Sequence, residues 1–413
     1  MKNKSCLVWD RGLYLCIAQR LSESFGKVYY YIPQANPYPN SAKAQIGVGL
    51  DGIERVHNFW DIIDKVDLIV FPDCYDGELQ HWLRSKGYCV FGNGRSEIVE
   101  LDKLLFIDLL KEVGLPTINT VVTKGLEELV NHLSKVKSEK WLKTNWYRGD
   151  FETHKFINMD LITPWLTDLA YRLGTRAHDI EILIQDSIKA ECEAGYDGFL
   201  IDGKYSDNCL TGYEIKDRGL VAKVTKNPAP IVKFVNDKMA PVHKYFGGRG
   251  HYSTEIRINK DGTPYYIDST QRAPSPPSEL MLEIYDNYPE IIWQVANGEV
   301  PDVIPRAEFG AELILTSDWH EQHELCVQFP KEFNKNVKLK NHSKRGDSYW
   351  CTPNDNAGYF GAVVAYGNTV GEATDKVMEI AKQIKADDFH VDEEVFEEAD
   401  EQIKNGEKFG IHF

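Results

Sequence analysis

The first hundred residues alternate short apolar runs with stretches whose apolar residues recur at three and four, and that alternation leaves few folds open. SCLVWD, KVYYYIP, VDLIVFPD and YCVFGNG read as buried parallel strands, with helical patterns in LYLCIAQRLSES and GELQHWLRSKG. Strand and helix in turn predict an open α/β sheet with helices on both faces. Ligands in such folds bind beyond the carboxyl ends of the strands. That places Asp10-Arg11-Gly12, after the first strand, and Pro72-Asp73, after VDLIVF, among the candidate site residues.

From Ser96 the pattern SEIVELDKLLFIDLLKEVGLPT predicts one helix, ended by Gly114 with Pro116 beyond it. Residues 117–300 then mix strands (INTVVTK, KWLKTNW, IEILIQD, GFLIDGKY, LVAKVTK, YSTEIRIN, PYYIDST) with two or three helices, an α+β pattern. PEIIWQVANG closes this stretch as a helix stopped at Gly298. After Pro301 and Pro305 come the strands AELILTS and GAVVAYG, the helix TVGEATDKVMEIAKQIK and an acidic tail. The expected domains are 1–100, 101–300 (subdomains about 115–185 and 186–300) and 301–413.

The formal charge of −16 repels phosphate backbones and anionic lipid, so neither general nucleic-acid binding nor a membrane-surface role is expected. No stretch approaches a membrane span and no signal peptide is recognisable, so a cytoplasmic location is expected. The eight scattered cysteines contain no CxxC pair and read as reduced thiols. His320, His323 and Cys326 are spaced by three without a fourth ligand; the other histidines lack metal-like spacing. GxxxxGK[ST], HExxH, GxSxG and a GxGxxG after the first strand are all absent.

Three constellations carry chemistry. In STEIRINKDGTPYYIDSTQR two strands meet at an Asp261-Gly262 turn, and each delivers a carboxylate, Glu255 and Asp268. Paired carboxylates repel unless a cation lies between them, and hard oxygen ligands beside a polyphosphate suit Mg²⁺, with Mn²⁺ the alternative. Thr270 and Arg272 share the Asp268 face by period two and add a hydroxyl and a guanidinium. Arg257 shares the alternation of Glu255. Lys103, in the helix after the first domain, and Lys143, in the apolar-flanked strand KWLKTNW, form the second set. Tyr147-Arg148-Gly149-Asp150 follows Lys143 as a polar turn suited to phosphates. Third, IEILIQD ends at Gln185-Asp186, passes through Ser187-Ile188, and a new strand begins at Glu193. Backbone groups of such a hinge can read a purine edge, and the glutamate can accept from ribose hydroxyls.

In this order the segments resemble the ATP-grasp superfamily of carboxylate-amine ligases. TEIRINKDGTPYYIDSTQR is similar to its magnesium hairpin: Glu255 and Asp268 match the metal ligands and Arg272 the arginine, with Thr270 where asparagine is usual. Lys103 and Lys143 match the two nucleotide lysines, Gln185 to Ile188 the adenine hinge, and Glu193 the ribose glutamate. Within the superfamily the layout is similar to the phosphoribosylamine-glycine ligases, notably in VFGNGRSEIVELDK and FGAVVAYGNTVGEATDKVMEIAKQI. It departs from them at WDRGLYL, at YRGDFET after Lys143 and at APSPPSE after the magnesium strand. The resemblance implies ATP and Mg²⁺ as cofactors, a small carboxylate joined to an amine through an acylphosphate, catalytic roles for Arg272, Lys143 and Arg148, and a lid near 147–157. A small-molecule kinase and a non-catalytic nucleotide-binding protein remain open on the same fold, as does a homodimer. Substrate contacts are expected from Asp10, Arg11, Asp73, Arg257 and Ser275.

Overall fold

The computed structural model describes residues 1–33, 44–146, 153–353, 358–397 and 399–413. The chain forms two compact units. The first comprises Met1–Glu97, Glu193–Glu255 and Asp268–Phe413; the second comprises Ile98–Cys192 and Ile256–Ile267. No helix among the described residues is long and apolar enough to cross a membrane.

The first unit begins with five parallel strands, β1 (Ser5–Trp9), β2 (Lys27–Tyr31), β3 (Ile53–Val56), β4 (Leu68–Val70) and β5 (Val90–Phe91), in the order β3-β2-β1-β4-β5. Helices on both faces require consecutive strand residues to be buried, and Cys6, Leu7, Val8, Leu68, Ile69 and Val70 are all at most 1% exposed. Leu7 and Ile69 join one apolar cluster, while Cys6, Val8, Leu68 and Val70 join another. The edge strand β3 escapes the apolar pattern because IERV is only half covered. Chain order reverses at β1, so the turns after β1 and β4 open the crevice anticipated from the sequence.

In the second unit β6 (Thr120–Lys124), β7 (Lys140–Thr144), β8 (Thr153–Phe156) and β9 (Glu181–Asp186) form an antiparallel sheet in the order β6-β9-β7-β8. The helix expected to run unbroken from Ser96 is divided. Ile98–Leu101 forms one short helix and Lys103–Glu112 a second, because Asp102 turns extended and caps the latter. Its carboxylate accepts from the Leu104 and Leu105 amides at 3.2 and 3.0 Å. Gly114, at φ 73°, then ends the helix as its position suggests.

The rest of the chain supplies β10 (Ala190–Ile201), β11 (Lys204–Tyr205), β12 (Asn208–Ile215), β13 (Gly219–Lys226), β14 (Arg249–Asn259), β15 (Pro264–Thr270), β16 (Phe309–Thr316), β17 (Leu325–Val327), β18 (Val337–Leu339), β19 (His342–Arg345), β20 (Ser348–Cys351) and β21 (Tyr359–Gly367). Nine of them make one sheet in the order β15-β14-β10-β12-β13-β16-β21-β18, with β11 on β10; β17, β20 and β19 make a small separate sheet. The β14–β15 loop turns at Gly262, whose φ is 83° and whose amide donates to the Asn259 carbonyl at 3.0 Å. That is the turn its Asp-Gly pair predicts.

Candidate functional site

In the second unit, β7 buries Leu142 and Thr144 on one face and leaves Lys143 half-buried on the other. Its Nζ donates to the Ile267 carbonyl at 3.3 Å. Lys103 is 7% exposed at the first position of its helix. A residue with no sequence signal joins the two elements: Asn145, 3% exposed, accepts from the Lys103 amide at 2.8 Å and donates to Glu181 at 3.1 Å. Its neighbour Trp146 donates from its amide to the Leu101 carbonyl at 3.1 Å. The end of β7 is thereby tied to the break in the helical segment that positions Lys103.

At the expected hinge, Gln185 is buried and donates to Thr120 Oγ1 at 3.2 Å, while Ser187 is exposed and Ile188 half-buried. The Asp186 carboxylate accepts from Lys140 Nζ and, at 3.0 Å, from Asn119 Nδ2. Lys140 chiefly, then Asn119, hold that carboxyl below the usual range. Asp186, Ser187 and Ile188 line a cavity of about 740 Å³ together with Asn119, Asn259 and Tyr265. Arg257 lies half-buried on the β14 stretch of this unit. Arg148 and most of the expected lid, residues 147–152, lie outside the described residues.

In the first unit, strands β10, β14 and β15 are neighbours and carry Glu193, Glu255 and Asp268. Glu193 lies between buried Cys192 and Ala194, and Glu255 between buried Thr254 and Ile256, so each points away from the core. Asp197 of β10 is bonded to Ser253 of β14, which sets the Glu193 and Glu255 faces alike. On and just after β15, Ser269, Gln271 and Ala273 are buried, and Gln271 donates to Ser269 Oγ at 2.8 Å. Asp268, Thr270 and Arg272 are therefore the half-buried set on the opposite face. Two carboxylates and a hydroxyl on adjacent strands are a donor set suited to Mg²⁺ beside phosphate oxygens. Among the described residues no three His, Cys, Asp or Glu side chains are grouped so as to hold a metal.

Burial pushes the Asp197 carboxyl up to about 7, with Glu214 adding to the shift against the Ser253 hydrogen bond. A raised folded-state value means the folded protein holds this proton more tightly, so its contribution to stability is lost as pH rises from about 4 through 7. Asp197→Asn should therefore melt at a higher temperature than the parent at pH 8 and at an equal one near pH 4. A pH series of thermal melts checks the sign.

Beyond β15, the Ala273 amide donates to the Pro72 carbonyl at 2.8 Å. The Tyr14 hydroxyl donates to the Ala273 carbonyl at 2.8 Å and accepts from Arg272 Nη1 at 3.1 Å. Arg272 thus stands beside the strand ends that carry Asp10, Arg11 and Asp73. Asp10 is 0% exposed and accepts from the Arg11 and Tyr14 amides and from the Tyr30 hydroxyl, so its carboxylate fixes the turn after β1. Burial pushes it up in pKa. Arg11 pairs with Asp76 at 2.9 Å, and Asp73, 8% exposed, accepts from the Cys74 amide at 2.9 Å. Ser275 donates to Glu279 at 2.8 Å and accepts from Lys340 at 2.8 Å, and lies 3.1 Å from the Tyr359 hydroxyl. Neither Lys340 nor Tyr359 was marked by any spacing in the sequence.

No family model matches the chain, and no curated protein matches it in sequence. Solved structures do match in fold, and that fold is the ATP-grasp fold. Phosphoribosylamine-glycine ligase from Thermotoga maritima superposes with a TM-score of 0.69 over 93% of this chain and 98% of its own, at 16% identity. The biotin carboxylase domain of the Hydrogenobacter thermophilus 2-oxoglutarate carboxylase, solved with MgADP, ADP and bicarbonate, gives 0.66 over 94% and 91%, at 13% identity. L-amino acid ligase from Bacillus licheniformis gives 0.59 over 94% and 99%, at 15% identity.

Proposed function

We propose that the chain is an ATP-dependent ligase that joins a small carboxylate, of the amino-acid class, to an amine. The observation that carries this reading is the placement of Glu193, Glu255 and Asp268 on three neighbouring strands of one sheet, each half-buried beside a buried neighbour, with Thr270 and Arg272 following Asp268. The fold shared with two ligases and the biotin carboxylase domain of a carboxylase supports it.

In this reading Glu255, Asp268 and Thr270 hold Mg²⁺ or Mn²⁺, which when bound neutralises phosphate charge. Lys103 and Lys143 bind phosphate oxygens, Gln185 to Ile188 meet the base, and Glu193 accepts from ribose hydroxyls. A carboxylate is a poor acyl donor because its leaving group would be oxide. Attack of its oxygen on the γ-phosphorus releases ADP and leaves an acylphosphate, with Arg272 and Arg148 balancing the negative charge. The amine nitrogen then attacks the acyl carbon, the C–O bond to phosphate breaks, and the nitrogen loses a proton, giving an amide. No side chain is required as a covalent nucleophile. Arg11, Asp73, Arg257 and Ser275 are the proposed neighbours of the substrates, Asp10 acting through the turn it fixes. Domain divisions at about 100 and 300 belong to the same proposal.

The test measures ADP and phosphate release from ATP-Mg in the presence of pooled amino acids and pooled amines. Turnover that needs one member of each pool, with an amide as product, supports the ligase. A phosphate ester as product makes the chain a kinase. ATP binding by calorimetry with no turnover under any pool makes it a nucleotide-binding protein, and no binding at all overturns the reading.

A further inference from the structure

At the hinge, the cross-strand register pairs Lys140 of β7 directly with Asp186 of β9, and their side chains form an ion pair. The Asp186 amide also donates to the Asn119 carbonyl at 3.1 Å while the Asn119 side chain donates back to the Asp186 carboxylate at 3.0 Å. Both oxygens of the carboxylate are engaged, one by each partner. Lys140 and Asn119 thus hold the last residue of β9 from two sides, immediately before Ser187 and Ile188. Lys140 is also three residues ahead of Lys143 on one strand, and the register continues from Lys140↔Asp186 to Lys143↔Leu183. The strand that presents the phosphate-side lysine and the strand that ends in the hinge are therefore clamped at their common end.

Such a clamp adds little to overall stability. The side chains of Lys140 and Asp186 are 20% and 44% exposed, and ion pairs this open contribute little because water screens them and long side chains lose freedom. What the clamp does constrain is the path of the backbone into the cavity lined by Asp186, Ser187, Ile188 and Asn119.

We propose that Asp186 is a positioning residue, locked by Lys140 and Asn119, that sets the hinge backbone and the Lys143 strand for nucleotide binding rather than touching the nucleotide with its carboxylate. The proposal rests on the nucleotide reading above, and it moves Asp186 from the ligands to the scaffold while adding Lys140 and Asn119, which no sequence motif marks.

The experiment titrates ATP-Mg by calorimetry into the full-length chain, into Asp186→Asn, into Lys140→Met and into the exchange Lys140→Asp with Asp186→Lys, with a thermal melt of each. Each single variant should bind ATP about fivefold more weakly, as for one lost charge-assisted hydrogen bond, while melting within about 2 °C of the parent. The exchanged pair restores the lock with the charges reversed and should recover most of the affinity, because Asn119 can turn its amide to accept from a lysine. An exchange variant that binds no better than Asp186→Asn, while melting like the parent, means that the carboxylate itself meets the nucleotide, and the proposal falls. Should the exchange variant fail to fold, Lys140→Met decides alone: unchanged affinity overturns the lock and a fivefold loss supports it. If the parent chain binds no ATP, the nucleotide reading fails and takes the proposal with it; if the parent binds and both single variants bind equally well, only the proposal fails.

Discussion

Asp268→Asn should lower ATP-dependent turnover by about three orders of magnitude while leaving the fold and the melting temperature nearly unchanged. The substitution is isosteric and half-buried, so packing is kept, and what is lost is one of the two negative charges that neighbouring strands direct outward with Thr270. A neutral amide oxygen is a weaker ligand for a hard divalent cation, and phosphoryl transfer depends on positioning and charge balance more than on any covalent step. ADP release measured with the substrates found by pooling, beside circular dichroism of the same sample, checks it. More than a tenth of the parental rate in the variant would remove Asp268 from the metal set and, with it, the observation on which the ligase reading stands.

Lys340→Met should destabilise the chain by about 3–5 kcal/mol, the cost of leaving a buried charge without its partner. Lys340 and Glu279 form an ion pair at 3.2 Å with side chains 4% and 1% exposed. Burial pushes the Glu279 carboxyl up, but the Lys340 ammonium and the Ser275 hydroxyl outweigh it and hold the group below the usual carboxylate range. Glu312 lies alongside, 0% exposed, and burial together with the Glu279 charge pushes its carboxyl well up. One lysine therefore sustains the charge of Glu279, while burial beside that charge favours the protonated form of Glu312. Adding Glu279→Gln to Lys340→Met removes the stranded charge and should return most of the lost stability in urea unfolding. Equal destabilisation of the single and double variants would show that the pair is not the source of the effect.

The consequence extends to the candidate site, because Lys340 donates to Ser275, and the chain between Arg272 and Ser275 is held at Ala273 by Tyr14 and Pro72. The segment APSPPSE, where the chain departs from the phosphoribosylamine-glycine ligase pattern, is fixed by partners more than sixty residues away at Lys340 and more than eighty at Tyr359. Its sequence gives no hint of them.

The strands of the first sheet were legible because burial on both faces demands continuous apolar runs, and the hairpin of Glu255 and Asp268 because an Asp-Gly turn and period-two alternation are local properties. The break before Lys103 was missed although Asp102 is a good capping residue. Apolar spacing continues across the break, and only the hydrogen bonds to Leu104 and Leu105 reveal that the helix restarts there. Strands β17, β19 and β20 are three or four residues long, too short for alternation to register.

By itself, then, the sequence determined the longer strands and helices, the turn between the two outward carboxylates, and the resemblance to ATP-grasp ligases, because each depends on residues close in the chain. Only the tertiary structure decided that Asp10 fixes a turn, that Asn145 joins the two lysine elements, that Lys140 and Asn119 hold Asp186, and that Lys340 sustains Glu279. Those pairings span 4 to 67 residues and are selected by which polar groups lose water together on folding, a quantity that no local pattern encodes.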